Sequence, residues 1–465
     1  MPRSHDIHDY LLFTFKYHFV IRRCILSYLS TFLCDVSYEV LIEYYMYPKK
    51  FSVIVLLLVG VEYVHLHAQP YYTLQSAMVT AKDNSPLLKR EGYNINLAQG
   101  NVKTAKLFTN PALNNQTLLL TNPSRYSSDP TSNFGEPINR QVWWQVTKPF
   151  VPISQRRNRI DIANQNVLLY EKGYNEIVRS FSSEVANQWL NAWVLKSRLD
   201  LLNQAFTNID SLVKINRARL RNQVITQTDL IRTQLLQDQY SLQILNAQKD
   251  FKNEIQRLKF LMGVKDTVDV DISAPIETMF ISGVVDSLMA VAMRERSDVQ
   301  VANLSVSIAK TNIKYQRSLV LPSPELGVIW NPQNTIPYAG FFGTIKLPLF
   351  DRNQGEIEKS KFLQLQAEEG VRNAQLRIST EIQAAFQAYQ TERNNLKKYE
   401  AMMSQSDQVL DNVRYSYLKG GTTIIDFLDA QRSWFDTRQL FLDARLSYFQ
   451  SYIQLLYVTG LINQM

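Results

Sequence analysis

YLKGGTTIIDFLDAQRSWFDTRQLFLDARLSYFQSYIQLLYVTG, residues 417–460, is the stretch whose reading decides the fold. A Gly-Gly break opens it, and a long run without proline follows. Its apolar residues return every seven positions. Phe427, Trp434, Phe441, Tyr448 and Leu455 form one strip, with Leu428, Phe435, Leu442, Phe449 and Leu456 beside it. A third strip is small: Thr423, Ala430, Thr437, Ala444 and Ser451. A heptad sustained this long predicts a helix that winds left-handedly around neighbours. The small strip lets a second backbone come close. Taken alone, the stretch specifies a coiled coil.

The pattern occurs twice. Thr226-Gln-Thr-Asp229 through Leu258 to Gly263 aligns without a gap onto Thr423-Ile-Ile-Asp426 through Leu455 to Gly460. Upstream, Ser76–Ala81 pairs with Ser287–Ala292, and Asn110-Pro111-Ala112-Leu113 with Ser323-Pro324-Glu325-Leu326. Lys148-Pro149-Phe150 pairs with Leu347-Pro348-Leu349. Each half therefore reads helix, proline, short extended pair, proline, very long helix, break, helix. The first repeat covers about 73–263, a linker 264–286 and the second repeat 287–460. Gly420-Gly421, set against Asn222-Gln223 of the first half, form a turn between helices, either a hinge or a simple helix C-cap. Two proline-free regions, from Ile153 to Ala274 and from Leu349 onward, are rich in Gln, Leu, Ala, Glu, Arg and Asn, which suits helix. A helix from Asn353 to Lys419 would be about 100 Å long, the length of a rod or tube wall.

The extended pairs are short. In Arg140–Phe150, Val142, Trp144, Val146 and Phe150 alternate with Gln141, Gln145 and Thr147. Tyr338–Leu349 alternates similarly, and Leu113–Thr121 and Glu325–Asn331 are the expected partners, joined through polar loops at Asn122–Asn139 and Asn331–Pro337. Lengths near ten residues with aromatics fit transmembrane β-strands; two ordinary surface hairpins would fit the pattern as well. Four strands cannot close a barrel, and open edges are not tolerated in lipid, so membrane-spanning strands would have to be pooled between copies.

The first residues read as processing signals. Lys49-Lys50 followed by apolar Phe51–Val61 and His67-Ala68 resembles a secretory signal over 46–68. Residues 1–45 would then be upstream translation, or else a genuine extension with an interfacial helix. The mature chain would be 69–465. Both cysteines (Cys24, Cys34) and all five histidines (His5, His8, His18, His65, His67) precede residue 69. The mature chain then holds no Cys or His nucleophile, no His base and no Cys/His metal set. The 50 Lys and Arg against 42 Asp and Glu are scattered and give no nucleic-acid footprint.

YLKGGTTIIDFLDAQRSW, LPLFDRNQGEIEKSK (347–361), NPAL (110–113) and RLKFLMG (257–263) resemble the outer membrane factor (TolC-like) efflux family over nearly all of 73–460. LPLFDRNQGEI is most similar to its cobalt–zinc–cadmium heavy-metal branch. The first-half KPFVPISQRRNRI departs from that branch's Gly-rich turn, and Thr422 stands where some relatives carry a basic gate residue. The resemblance implies a mainly α fold with a small β part. A homotrimer would pool twelve strands into an outer-membrane barrel embedded in lipid, continued as a helical coiled-coil tube into the periplasm. It implies a periplasmic adaptor and an inner-membrane RND-type pump as partners, and a passive efflux duct rather than an enzyme, with no catalytic, cofactor or metal residues. The same duct could serve a multidrug pump or type I protein secretion; a periplasmic coiled-coil scaffold is the reading of another class.

The resemblance places acidic rings at the duct's entrance at Asp426 and Asp429, with Asp229 the first-half counterpart of Asp426. Thr226/Asp229 and Thr423/Asp426 are equally the pattern of a helix N-terminal cap. Asp429, one turn further in and aligned with Arg232 of the first half, has no capping role and is expected to face the pore rather than form part of a merely solvated face. Trp143, Trp144, Phe341 and Phe342 are expected membrane-interface aromatics, whereas Trp189, Trp193 and Trp434 are expected to pack between helices.

Overall fold

A computed structural model of the chain describes residues 71–121, 140–278, 284–333 and 336–464. The expected signal segment, the cysteines, the histidines and the loop 122–139 lie outside these residues. The first half runs β1 (Tyr71–Tyr72), α1 (Leu74–Asn84), α2 (Pro86–Lys106), β2 (Ala112–Leu119), β3 (Arg140–Pro149), α3 (Ile153–Arg221) and α4 (Gln227–Met262). After β4 (Asp269–Val270) the second half runs α5 (Val285–Glu295), α6 (Ser297–Ser318), β5 (Glu325–Gln333), β6 (Ile336–Thr344), α7 (Gln354–Lys419) and α8 (Ile424–Thr459), closed by a 3-10 turn at Leu461–Gln464. The helices of the two halves have nearly equal lengths: 11 and 11, 21 and 22, 69 and 66, 36 and 36 residues.

The long helices start and stop where their sequences dictate. Both α4 and α8 begin at a threonine whose hydroxyl accepts the N–H of an aspartate three residues on, while that aspartate accepts the threonine N–H. Both end at a glycine in the left-handed region, Gly263 (φ 65°) and Gly460 (φ 81°). Pro86 opens α2 at a position where its missing N–H costs nothing. With 69 residues, α3 is about 100 Å long. It packs against α4 as α7 packs against α8, and it also touches α8, α6 and α2.

The heptad strips of α8 enter two cores. Trp189 and Trp193 of α3, each 1% exposed, meet Phe449, Tyr452, Leu455 and Leu456 of α8 near the corner between α1 and α2. Towards the helix breaks, Leu202, Ile209 and Val213 of α3 pack with Leu236, Tyr240, Phe427, Leu428, Trp434 and Phe435. The three tryptophans thus pack between helices. Of the small strip, only Ala430 and Ala444 are fully buried.

The linker is docked rather than loose at its start. β4 pairs in parallel with β1. Lys196 of α3 donates to the Val270 carbonyl at 2.7 Å and pairs with Asp269 at 2.8 Å, and Trp189 Nε1 donates to the Tyr72 carbonyl at 2.8 Å.

The other four strands form one antiparallel sheet in the order β2-β3-β5-β6. β6 ends at Thr344, short of the expected Leu349, and begins at Ile336, inside the expected loop. The reason is its partner: β5 starts only after Pro324, so Glu325 opposite Thr344 is the last pair, and Leu349 N–H turns back onto Leu347 O. No helix among the described residues is long and apolar enough to cross a membrane.

Candidate functional site

Two regions carry the sequence-predicted residues: the helix breaks at one end of the long helices and the sheet at the other. At the second break, Gly420 N–H donates to Tyr417 O and Gly421 N–H to Ser416 O. This is the paired-bond stop of a Schellman motif, with Gly420 (φ 83°) as its left-handed residue. The first break is built identically from different residues: Gln223 (φ 56°) donates to Leu220 O and Val224 to Arg219 O. Gly420 and Gly421 therefore correspond to Gln223 and Val224, not to Asn222 and Gln223. The alignment anchored on Thr226 and Thr423 carries no gap, and the left-handed residue fixes the offset. Gly420 is a helix C-cap; nothing lies within 4 Å of the position its Cβ would take.

Beyond each break the aspartates act as caps. Asp229 Oδ2 accepts the Thr226 N–H at 3.1 Å and hydroxyl at 2.8 Å. Asp426 Oδ2 accepts the Thr422 and Thr423 hydroxyls, both at 2.7 Å, and the Thr423 N–H at 3.1 Å. The bonds from Thr422 and Thr423 hold the Asp426 carboxyl below the usual carboxylate range. The Asp429 side chain is exposed and makes no hydrogen bond or ion pair among the described residues. It lies on an exposed stripe of α8 with Ile425, Arg432 and Asp436.

A polar link that no sequence motif announces joins the two helix pairs. The Tyr417 hydroxyl donates to Asn216 Oδ1 at 2.8 Å, Asn216 Nδ2 donates to Thr233 Oγ1 at 3.0 Å, and Thr233 Oγ1 donates to the Asp229 carbonyl at 2.9 Å. The Arg219 guanidinium sits 4.7 Å from the Tyr417 ring centroid and donates to the Leu418 carbonyl at 2.9 Å, where the negative end of α7 favours a cation. Asn216 follows Leu212 and Val213 on the apolar stripe of α3, and a lone asparagine there is the signal that could have found the link.

A second cluster outside the expected sites lies at the far end of α8. Arg296, 2% exposed, sits in the corner between α5 and α6. It pairs with Asp298 at 2.7 Å and Glu381 at 2.6 Å and donates to the Val458 carbonyl at 3.1 Å. Arg377 joins Asp298 at 2.8 Å. Burial alone would raise the Asp298 pKa; the bonds and charge of Arg296, with Arg179 and Arg377, outweigh it and hold the carboxyl low. Its sequence signal is a charge continuing the apolar stripe Leu288, Ala292.

In the sheet, directly opposed residues share a face. One face carries an apolar row across all four strands, Leu113–Val146–Val328–Phe341, followed by Trp144 opposite Trp330. All six are exposed, Phe341 to 91%. The other face carries Asn114, Gln116, Gln145, Thr147 and Gly327. Trp143 and Phe342 belong to this second face, each one residue away from its expected companion. Trp143 pairs with Gln116, and the Phe342 ring covers Gly327, where a Cβ would come within 2.6 Å of it. The four aromatics are thus divided between the faces: Trp144 and Phe341 lie on the apolar one, Trp143 and Phe342 on the polar one. Trp144 is also mid-strand rather than at a strand end.

A profile of the outer membrane efflux protein family matches residues 77–264 and 288–461. The chain belongs to this family. The pyoverdine export outer membrane protein OpmQ of Pseudomonas putida is 22% identical over 297 residues, 59% of this chain and 61% of OpmQ. The chain thus spans about three fifths of that relative's length. Among solved structures, CusC superposes with a TM-score of 0.68 at 17% identity, covering 83% of this chain and 92% of CusC. The Campylobacter jejuni CmeC outer membrane channel gives 0.68 at 15% identity, over 83% and 85%. A membrane protein from Pseudomonas aeruginosa gives 0.70 at 18%, over 83% and 90%. At these identities the likeness establishes the fold: long helices with a small sheet. Family membership places the chain in the outer membrane, with its helical part in the periplasm.

Proposed function

We propose that this outer membrane efflux protein is the passive exit duct of a tripartite efflux system, built as a homotrimer. Three copies pool twelve strands into one barrel, and the two repeats of each chain supply the helical columns of the tube. The tube docks on a periplasmic adaptor and, through it, on an inner-membrane RND-type pump that supplies the energy. The observation that carries this reading is the sheet. It exposes an apolar row across four strands, yet β2 and β6 have edges with no partner strand among the described residues. Unpaired edge groups are too costly in hydrocarbon, so each edge needs a strand from another copy. Cysteines at Asn115 on β2 and, in turn, at Pro337, Ala339 and Phe341 on β6 test it. Oxidation in cells is expected to give covalent dimers and trimers at one register; monomers at every register would refute pooled strands.

For the cargo, LPLFDRNQGEI supports heavy-metal cations, and Asp429, exposed and unpaired among the described residues, is the residue read as lining the entrance, with Asp426 and Asp229 beside it as caps. Three-fold symmetry would concentrate its charge and favour cations. Asp429→Ala is expected to lower the cation preference of the conductance in planar bilayers; unchanged selectivity sinks the acidic ring. The pyoverdine-exporting relative favours a second reading, an organic metal chelator as cargo. Deletion separates the two: sensitivity to cobalt, zinc and cadmium supports the first, and retained chelator inside the cell supports the second.

A further inference from the structure

We propose that the junction between β3 and α3 is a binding surface for anionic phospholipid headgroups of the membrane leaflet that faces the helices. The inference rests on the sheet spanning the outer membrane. Below the last residues of β3 the chain reads KPFVPISQRRNR, and Lys148, Arg156, Arg157 and Arg159 gather there with Lys106 from the end of α2. None of these five cations is in an ion pair with a carboxylate among the described residues, and Asp161 is the one acidic side chain lining the adjoining pocket. Two of the arginines are held in place by backbone. Arg156 donates to the Lys106 carbonyl at 2.8 Å and lies 4.5 Å from the Phe108 ring centroid; Arg159 donates to the carbonyls of Ala105 at 2.9 Å and Leu107 at 3.2 Å. The guanidiniums are therefore fixed around the negative end of α2, which takes up part of their charge. Arg157 and Lys148 are exposed.

The same junction exposes large apolar side chains. Leu107, Phe108, Phe150 and Ile153 are all exposed, and Ile153 reaches 85%. Phe150, whose N–H bonds the Pro324 carbonyl, follows the alternation of Trp144 and Val146 past the end of β3. Apolar residues beside unpaired cations, at the level where strands give way to helices, complement a lipid: acyl chain against the first group, phosphate against the second. The second-half junction also exposes apolar side chains, Leu347, Leu349 and Phe350, and the cations Arg317, Lys346 and Arg352, but carboxylates stand among them. There Asp351 caps the Asn353 N–H at 2.9 Å, Asn353 Nδ2 donates to the Gln316 carbonyl at 2.9 Å, and Glu356 stands near Lys359. Charges at that junction are mixed, whereas no carboxylate pairs with the first-half cations among the described residues, so the proposal is placed on the first half.

The test is lipid binding to the full-length protein in detergent, read by native mass spectrometry as the number of bound dioleoylphosphatidylglycerol molecules against dioleoylphosphatidylcholine. The wild type is expected to prefer phosphatidylglycerol. Lys148→Gln with Arg157→Gln leaves the backbone-anchored arginines intact and is expected to cut the preference about twenty-five-fold, roughly fivefold per charge. Lys359→Gln with Lys361→Gln in the second half is expected to leave it unchanged. Equal binding of the two lipids, an unaffected first-half variant, or full competition by millimolar inorganic phosphate would overturn the proposal, the last by showing a free-anion site. Planar-bilayer conductance of the same preparations keeps the outcomes apart. A conducting protein without lipid preference refutes the headgroup surface only, whereas a non-conducting one refutes the duct.

Discussion

Gly263 and Gly460 end helices of equal length in the same left-handed conformation, and they press on corners of opposite character. A Cβ on Gly263 would meet the Asn84 carbonyl oxygen at 2.9 Å, beside neutral Ser85; one on Gly460 would meet Arg296, whose nearest atom lies at 3.3 Å. The residues differ also at the helix breaks, Gln223 against Gly420, and where strands meet helices, a basic cluster against a turn of mixed charge. Backbone geometry is shared wherever one residue type can supply it, as with the threonine caps and the left-handed glycines. Charge is shared almost nowhere. The two halves share one scaffold and divide the polar roles between them.

The sharpest way to break that comparison is to remove the charge from one corner. Arg296→Met strips Asp298 and Glu381 of their buried partner and leaves the Val458 carbonyl without a donor. We expect about 3 kcal/mol of lost stability, seen as a lower denaturant midpoint in detergent. Ser85→Ala at the corresponding first-half corner makes no such break and should cost less than about 0.5 kcal/mol. Equal effects would mean that the corners are equivalent after all.

The glycines come next. Gly263→Ala combines the left-handed penalty with a backbone oxygen that cannot swing away, so about 2 kcal/mol is expected. On Gly460 the added methyl would meet its neighbours at 3.3 Å or beyond. Gly460→Ala should therefore cost only about 1 kcal/mol. Thermal unfolding of the two variants side by side measures the difference.

Why some of this is readable in the sequence and some is not is a matter of range. The heptads of 423–456, the capping boxes and the terminal glycines are local, and the helix boundaries follow from them within a few residues. The pairing of β2 with β3 and of β5 with β6 follows from alternation and the loops between them. The end of β6 does not, because it depends on where the partner strand loses its ladder at Pro324. Composition groups Trp143 with Trp144, although strand alternation sends adjacent residues to opposite faces; Phe341 and Phe342 part for the same reason. The Arg296 cluster draws together α6, α7 and α8, and the Tyr417–Asn216–Thr233 link α7, α3 and α4. Each shows in sequence only as a polar residue on an apolar stripe, without its partners.

At the breaks the two halves solve one turn with different residues, which gives a smaller effect. Gln223 holds a left-handed conformation that a side chain disfavours, so Gln223→Gly should raise stability by about 0.5 kcal/mol once glycine's added chain entropy is discounted. Gly420→Gln should lower it by a similar amount, since no neighbour obstructs the side chain. Opposite signs in matched unfolding experiments confirm that the turn, and not the glycine, is what the two halves share.

The smallest effect separates the two caps by pH. Asp426 receives a bond from Thr422 that Asp229 has no counterpart for, and its carboxyl lies below the ordinary value of 3.8. A carboxylate with a depressed folded-state pKa binds its proton more readily in the unfolded chain. Its contribution is therefore fully present above the ordinary value and is lost as pH falls through the depressed one. Hydrogen exchange in the first turn of α8 should accelerate, relative to the intrinsic rate, as pH is lowered below about 4. Asp426→Asn should abolish that dependence, because an amide does not titrate in this range. Thr422→Val should weaken it and shift the acceleration to higher pH, since the depressed pKa moves back towards the ordinary one. If the first turn exchanges with the same pH profile in all three proteins, the Thr422 bond does not distinguish the second break from the first.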